Sequence, residues 1–118
     1  MRVNALRIPC RDLTESEQFY GTLLGRSKSF GDAGVGYIGF GLDNVTVLLE
    51  YVEPGEFEGG RYLGFSLEVP DIEAFYAELV DKVAFTGPPE KQAWGGIMTH
   101  VRDVSDNTLS IVQMLEGA

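Results

Sequence analysis

Three side chains in this sequence are suited to moving protons or gripping a cation: Glu50, Glu68 and the lone histidine, His100. Burial raises a carboxyl's pKa and an imidazole titrates near neutral pH, so such groups make general acids and bases; the same groups ligate divalent metals. Each lies in a run that reads as a strand, and alternation assigns its face. In residues 45–52, Val45, Val47, Leu49 and Tyr51 are uniformly apolar and turn toward the helices. Thr46, Leu48, Glu50 and Val52 then face the other way. The same parity sends Gly64, Ser66 and Glu68 away from the helices and sets Met98, His100 and Arg102 opposite Ile97, Thr99 and Val101. In the last strand, Ser110, Val112 and Met114 oppose Leu109, Ile111 and Gln113. If these faces curl around one concavity, it is lined by Arg7, Thr46, Glu50, Ser66, Glu68, Met98, His100, Arg102 and Ser110. That mixture of apolar and polar groups is the usual make-up of a small-molecule site.

Each candidate also has a plainer role. Glu50 and Glu68 equally well pair with Arg7 or Arg102 and serve structure alone. His100 is either an ordinary hydrogen-bonding wall residue or a ligand contact and acid/base. Trp94 and Tyr37 either pack or stack on a ligand; Phe40 reads as core. Cys10, on the helix-facing side, is a small buried hydrophobe and not a nucleophile. The glycines from Gly31 to Gly41 lack the GK[ST] ending and following helix of a phosphate loop.

The elements that must position these residues occur twice. An alternating run, Val3–Cys10, meets Asp12-Leu13 and then Phe19-Tyr20; a second, Leu63–Val69, meets Asp71-Ile72 and then Phe75-Tyr76. A period of this length marks duplication of a supersecondary unit. On the first strand, Leu6, Ile8 and Cys10 share one face and Val3, Ala5, Arg7 and Pro9 the other. Thr14 and Glu17 have capping-box spacing, with Asp12 as the other candidate cap. The helix that follows carries Phe19, Leu23 and Leu24 on one stripe and stops at Gly25. The glycine-rich 27–41 predicts a turn and a strand, and 45–52 is the clearest strand. Pro54 to Gly60 is linker-like. A second strand and helix, 63–69 and about 71–82, lead to a Gly87-Pro88-Pro89 loop, a strand at 97–102, a Ser105-Asp106-Asn107 turn and a strand at 108–115. The expected fold is α+β: two tandem βαβββ modules forming a curved mixed sheet around a cup-shaped cleft. The whole of 1–118 is one domain, with module 1 about 1–53, linker 54–60 and module 2 about 61–118, because neither half alone buries enough surface.

Composition narrows the partners. The net charge of −9 argues against nucleic acid, whose phosphates repel an acidic surface. One cysteine excludes an internal disulfide and suits a reducing compartment. No segment approaches the roughly 18 apolar residues of a membrane span, and the start lacks a secretory signal's apolar core. A cytoplasmic protein without membrane association is expected.

The opening Arg7-Ile8-Pro9-Cys10-Arg11-Asp12-Leu13, then Phe19-Tyr20 and Leu23-Leu24-Gly25, resembles the first strand and D-L...F-Y...L-G helix of the vicinal oxygen chelate superfamily of glyoxalase I, extradiol dioxygenases and bleomycin-resistance proteins. Trp94-Gly95, Val101-Arg102-Asp103 and Ser105-Asp106-Asn107 resemble the W-G...R-D-P-D-G-N run of the bleomycin-resistance branch, though Ser105 replaces Pro and no Gly precedes Asn107. The resemblance implies paired βαβββ modules, a homodimer, and aromatic side chains near Trp94 that stack on planar ligands. It places the family's metal ligands on Ala5, on Glu50 (or Leu49 under a one-residue slip), on Gly64, and on Ser110 (or Ile111). A single carboxylate cannot supply the three or more donors a divalent metal needs. The expectation is therefore no cofactor and a small-molecule binder for a hydrophobic or planar ligand. Glu50 and His100 are the catalytic candidates. Arg7, Tyr37, Thr46, Glu68, Trp94, Met98, Arg102 and Ser110 are the ligand contacts. The alternative is a glyoxalase- or dioxygenase-like enzyme, a lyase or isomerase, using Glu50 with His100 as metal ligand or acid/base.

Overall fold

Both helices begin on an aspartate for the same reason. In the computed structural model, which describes residues 1–115, Asp12 is extended (φ −134°, ψ 108°) and its Oδ1 accepts the Glu15 N–H at 2.9 Å. Asp71 does the same for Ala74 at 3.1 Å. Each carboxylate thus satisfies a donor that the first helical turn leaves open. Of the two candidate caps, Asp12 makes the bond and Thr14 lies inside α1 (Leu13–Leu24). Helix α1 buries Leu13, Ser16, Tyr20 and Leu23, so its stripe runs through Tyr20 and not Phe19. Phe19 is half-buried, edge-on to Tyr20 with centroids 5.0 Å apart. Gly25 (φ 66°) ends the helix in the left-handed conformation that glycine tolerates best. Helix α2 (Ile72–Leu79) is shorter than the expected 71–82, since Lys82 and Val83 both turn their N–H groups back to the Leu79 carbonyl.

The duplication is visible in the sheets. The first runs β1-β4-β3-β2, with β1 (Ala5–Cys10) parallel to β4 (Thr46–Tyr51), β3 (Tyr37–Gly41) antiparallel to β4, and β2 (Phe30–Asp32) at the edge. The second runs β5-β9-β8-β6, with β5 (Tyr62–Glu68) parallel to β9 (Thr108–Gln113) and β8 (Ile97–Arg102) antiparallel to it. Two short pieces, β6 (Ala84–Phe85) and β7 (Glu90–Lys91), pair in turn with β8. The expected Gly87-Pro88-Pro89 loop lies between them, where prolines bring no N–H to a ladder. The α+β class holds, as two mixed sheets that each contain one parallel pair.

The chain divides into two compact units: Met1–Arg61 with Val104–Asn107, and Tyr62–Asp103 with the chain from Thr108 onward. The expected second module runs to 118; residues 116–118 lie outside the described residues. In the first unit, α1 packs on β3 and β4, and Ile8, Ile38, Phe40, Val47 and Leu49 form the core, each at most 1% exposed. In the second, Ile72, Leu79, Val101, Leu109 and Ile111 form the core, and Gln113 Oε1 accepts the Ile72 N–H at 2.9 Å.

The β8–β9 turn, 104–107, belongs to the first unit through side chains that the sequence marks only as turn formers. Ser105 Oγ accepts the Arg11 N–H at 2.9 Å, and the Ser105 carbonyl accepts the Gly60 N–H at 3.1 Å. Asn107 Nδ2 donates to the Pro9 carbonyl at 2.8 Å. Both residues are fully buried, so these bonds are made away from water.

Candidate functional site

On the side of the first sheet turned away from α1, register sets three rows: Ala5, Thr46 and Gly41; Arg7, Leu48, Gly39 and Phe30; and Pro9, Glu50, Tyr37 and Asp32. Arg7 and Glu50 are diagonal neighbours across the parallel pair and form an ion pair through Arg7 Nε. Phe57, from the 53–57 turn closed by the Glu53–Phe57 bridge, stacks on that guanidinium, its centroid 4.5 Å from Arg7 Cζ. The hydrogen bond to Glu50, then the Glu50 charge, hold Arg7 above its ordinary pKa, with desolvation pulling back and Glu53 adding a little.

Two open aromatic rings share this face. Gly39 has no Cβ, and one built there would collide with the Phe30 ring, so the far end of that ring rests over the Gly39 backbone. Its centroid is 6.1 Å from that of Tyr37, and the two rings are 45% and 44% exposed. Thr46 and Glu50 are half-buried and Tyr37 exposed. The sequence-predicted Arg7, Tyr37, Thr46 and Glu50 therefore fall on one face, with Arg7 and Glu50 in direct contact. Phe30 and Phe57 were missed. Phe30 had a readable signal, its phase with Gly39 across a hairpin; Phe57, outside any regular element, had none.

The second sheet's corresponding face carries Ser66, Ser110 and His100 in one row, Glu68, Val112 and Met98 in the next, and Tyr62, Thr108 and Arg102 in a third. His100 is half-buried and meets Tyr62 edge-on, with centroids 6.1 Å apart. Met98 and Ser110 are half-buried, while Glu68 and Arg102 are exposed and, among the described residues, form no ion pair. Trp94 is 49% exposed and its ring lies against Gly96, where a Cβ would collide with it. Gly95 (φ 101°) makes the turn that permits this.

Among the described residues, no three His, Cys, Asp or Glu side chains are grouped so as to hold a metal ion. A groove of about 280 Å³ in the first unit is lined by Arg11, Val52, Pro54, Glu58 and Gly59. Its one cation, Arg11, already bonds Asp106 Oδ2 at 2.9 Å.

The family described as Glyoxalase/Bleomycin resistance protein/Dioxygenase superfamily matches residues 2–111. No curated protein matches the sequence. Among solved structures, a superfamily member from Sphaerobacter thermophilus is 28% identical with a TM-score of 0.82, over 96% of this chain and 97% of that one. TnmS3, an antibiotic-binding protein from Streptomyces sp. CB03234, is 22% identical with a TM-score of 0.79, over 98% of this chain and 97% of that one. Lactoylglutathione lyase from Agrobacterium tumefaciens is 13% identical with a TM-score of 0.75, over 94% and 92%. A binding protein and an enzyme thus share the architecture, so the fold does not choose between them.

Proposed function

The chain belongs to the glyoxalase/bleomycin resistance protein/dioxygenase superfamily, and on that premise we propose that it is a metal-free binder of a small hydrophobic or planar molecule, acting as a cytoplasmic homodimer. The observation that carries this reading is the donor set. At the positions where the family pattern places metal ligands, the chain has Ala5, Gly64 and Ser110, two with no donor atom on the side chain and one with a neutral hydroxyl. The fourth, Glu50, is already paired with the Arg7 guanidinium. This set does not fit a divalent ion.

What the faces offer is contact area with a few polar anchors: Phe30 and Tyr37 beside Arg7 and Glu50 on the first sheet, and Trp94, Met98 and His100 on the second. Burial of flat apolar surface against such rings supplies affinity at about 25 cal/mol per Å², with the polar groups setting orientation. The likeness to an antibiotic-binding protein supports the binder over the lyase only as fold-level analogy.

Metal analysis of protein purified without chelator tests the proposal. Well under about 0.1 equivalent of Zn, Ni, Mn or Fe per chain is expected; about one equivalent overturns it in favour of enzymatic use of Glu50.

A further inference from the structure

We propose that the ligand of the first sheet's open face is an uncharged, flat ring system that presents a carbonyl or similar oxygen acceptor to Arg7. This rests on the binder reading above and adds the ligand's charge class.

The argument begins with local electroneutrality. Arg7 and Glu50 cancel each other's charge between the Phe30 and Tyr37 rings, and the face's other carboxylate, Asp32 at the sheet edge, accepts the Val35 N–H. A cationic ligand seeking Glu50 would have to displace an arginine already bonded to it and stacked on Phe57. An anionic ligand seeking Arg7 would approach Glu50 at close range, with Glu53 nearby and a net charge of −9 on the chain as a whole. Either charged ligand therefore meets opposition that a neutral one avoids.

A neutral acceptor is well served. Guanidinium has five N–H donors, and among the described residues Glu50 engages the one on Nε, so the four on the terminal nitrogens are left for an acceptor. Phe57 holds the guanidinium plane from one side, which fixes the direction in which those donors point. The end of the Phe30 ring rests on the Gly39 backbone and the residue is 45% exposed, so the ring keeps an open surface. Arg7 and Phe30 lie in the same cross-strand row, at its two ends. A flat molecule spanning that row can rest on Phe30 while one edge oxygen reaches Arg7.

Three probes built on one tricyclic framework separate the charge classes: acridone (neutral, with a carbonyl), 9-aminoacridine (a cation at neutral pH) and acridine-9-carboxylate (an anion). Titrated by fluorescence and calorimetry against the full chain, acridone is expected to bind at least about tenfold tighter than either charged analogue. Its affinity should change less than about twofold between about 50 and about 500 mM NaCl. Tighter or equal binding of a charged analogue overturns this inference and leaves the binder reading standing. Binding of none of the three overturns the binder reading for flat ligands and this inference with it. Charge-unbalancing variants locate the effect: Arg7→Met should move the preference toward 9-aminoacridine, and Glu50→Gln toward acridine-9-carboxylate. An unchanged ranking in both variants, each confirmed folded by circular dichroism, sinks the assignment to this pair.

Discussion

The two halves of this chain start from the same plan and end with different amounts of interior. Each opens with a strand, caps a helix with an aspartate, and pairs its first strand parallel to its last. The central strands of both halves are closed, with Ile38, Phe40 and Leu49 in one and Val101, Leu109 and Ile111 in the other at 0% exposure, but the opening strand β1 buries Ile8, Pro9 and Cys10. Strand β5 of the second half has no buried residue, and α2, eight residues long against twelve for α1, buries only Ile72 and Leu79. The open faces differ in kind as well. One carries the Arg7–Glu50 ion pair beside aromatics; the other carries hydroxyls, a histidine, and a Glu68 and an Arg102 that form no ion pair among the described residues. The shared features are those that make a helix start and a strand pair. The divergent ones are those a ligand would touch.

The largest test of this contrast compares core leucines. Leu49→Ala should cost about 3–5 kcal/mol in urea unfolding, because it empties a closed site. Leu67→Ala, at a half-buried position of β5, should cost about 1–2 kcal/mol. Equal costs would break the claim that the halves are unequally packed.

Next comes the buried turn. Asn107→Ala removes the donor to the Pro9 carbonyl and should destabilise by about 2 kcal/mol, a drop of several degrees in Tm. Asp106→Asn, one residue earlier, removes the charge of an exposed pair with Arg11 while keeping a side chain that tolerates φ 63°, and should shift stability by less than about 0.5 kcal/mol. Comparable losses in the two variants would mean that the turn is held by charge and not by its buried amide.

Smaller still is the difference between helix ends. Gly25→Ala forces a Cβ into φ 66° and should cost about 1 kcal/mol. Val80→Ala, at an end that stays right-handed and exposed, should stay within about 0.5 kcal/mol of wild type.

What the sequence carried were local rules. Asp12 and Asp71 can be read as caps, Gly25 as a stop, and the alternation in 45–52 and 97–102 as faces, because each depends on neighbours within a few residues. Arg7 and Glu50 are legible as sharing a face for the same reason, although alternation does not say whether they touch. The misses follow from contacts made by chain return. Phe57 reaches Arg7 from an irregular turn, and Ser105 and Asn107 anchor segments nearly the whole chain away. The expected stripe of α1 runs through Phe19, since both aromatics of the pair are apolar. Only packing against β3 and β4 shows that Tyr20 is the one turned inward.

The finest comparison is between the two aromatic rings laid on glycine. Phe30 over Gly39 and Trp94 over Gly96 are the same device in the two halves: a ring pressed against bare backbone with its outer surface open. A methyl at either glycine would have to push its ring aside, and since each ring ends an exposed side chain, the stability cost should be modest. The optical readout is selective, because Trp94 is the chain's one tryptophan. Gly96→Ala should shift the emission maximum and raise quenching by acrylamide, while Gly39→Ala should leave both unchanged and weaken acridone binding instead. If Gly96→Ala leaves the emission untouched, Trp94 is not held on that backbone, and the parallel between the two halves fails at their open faces while surviving in their caps and strands.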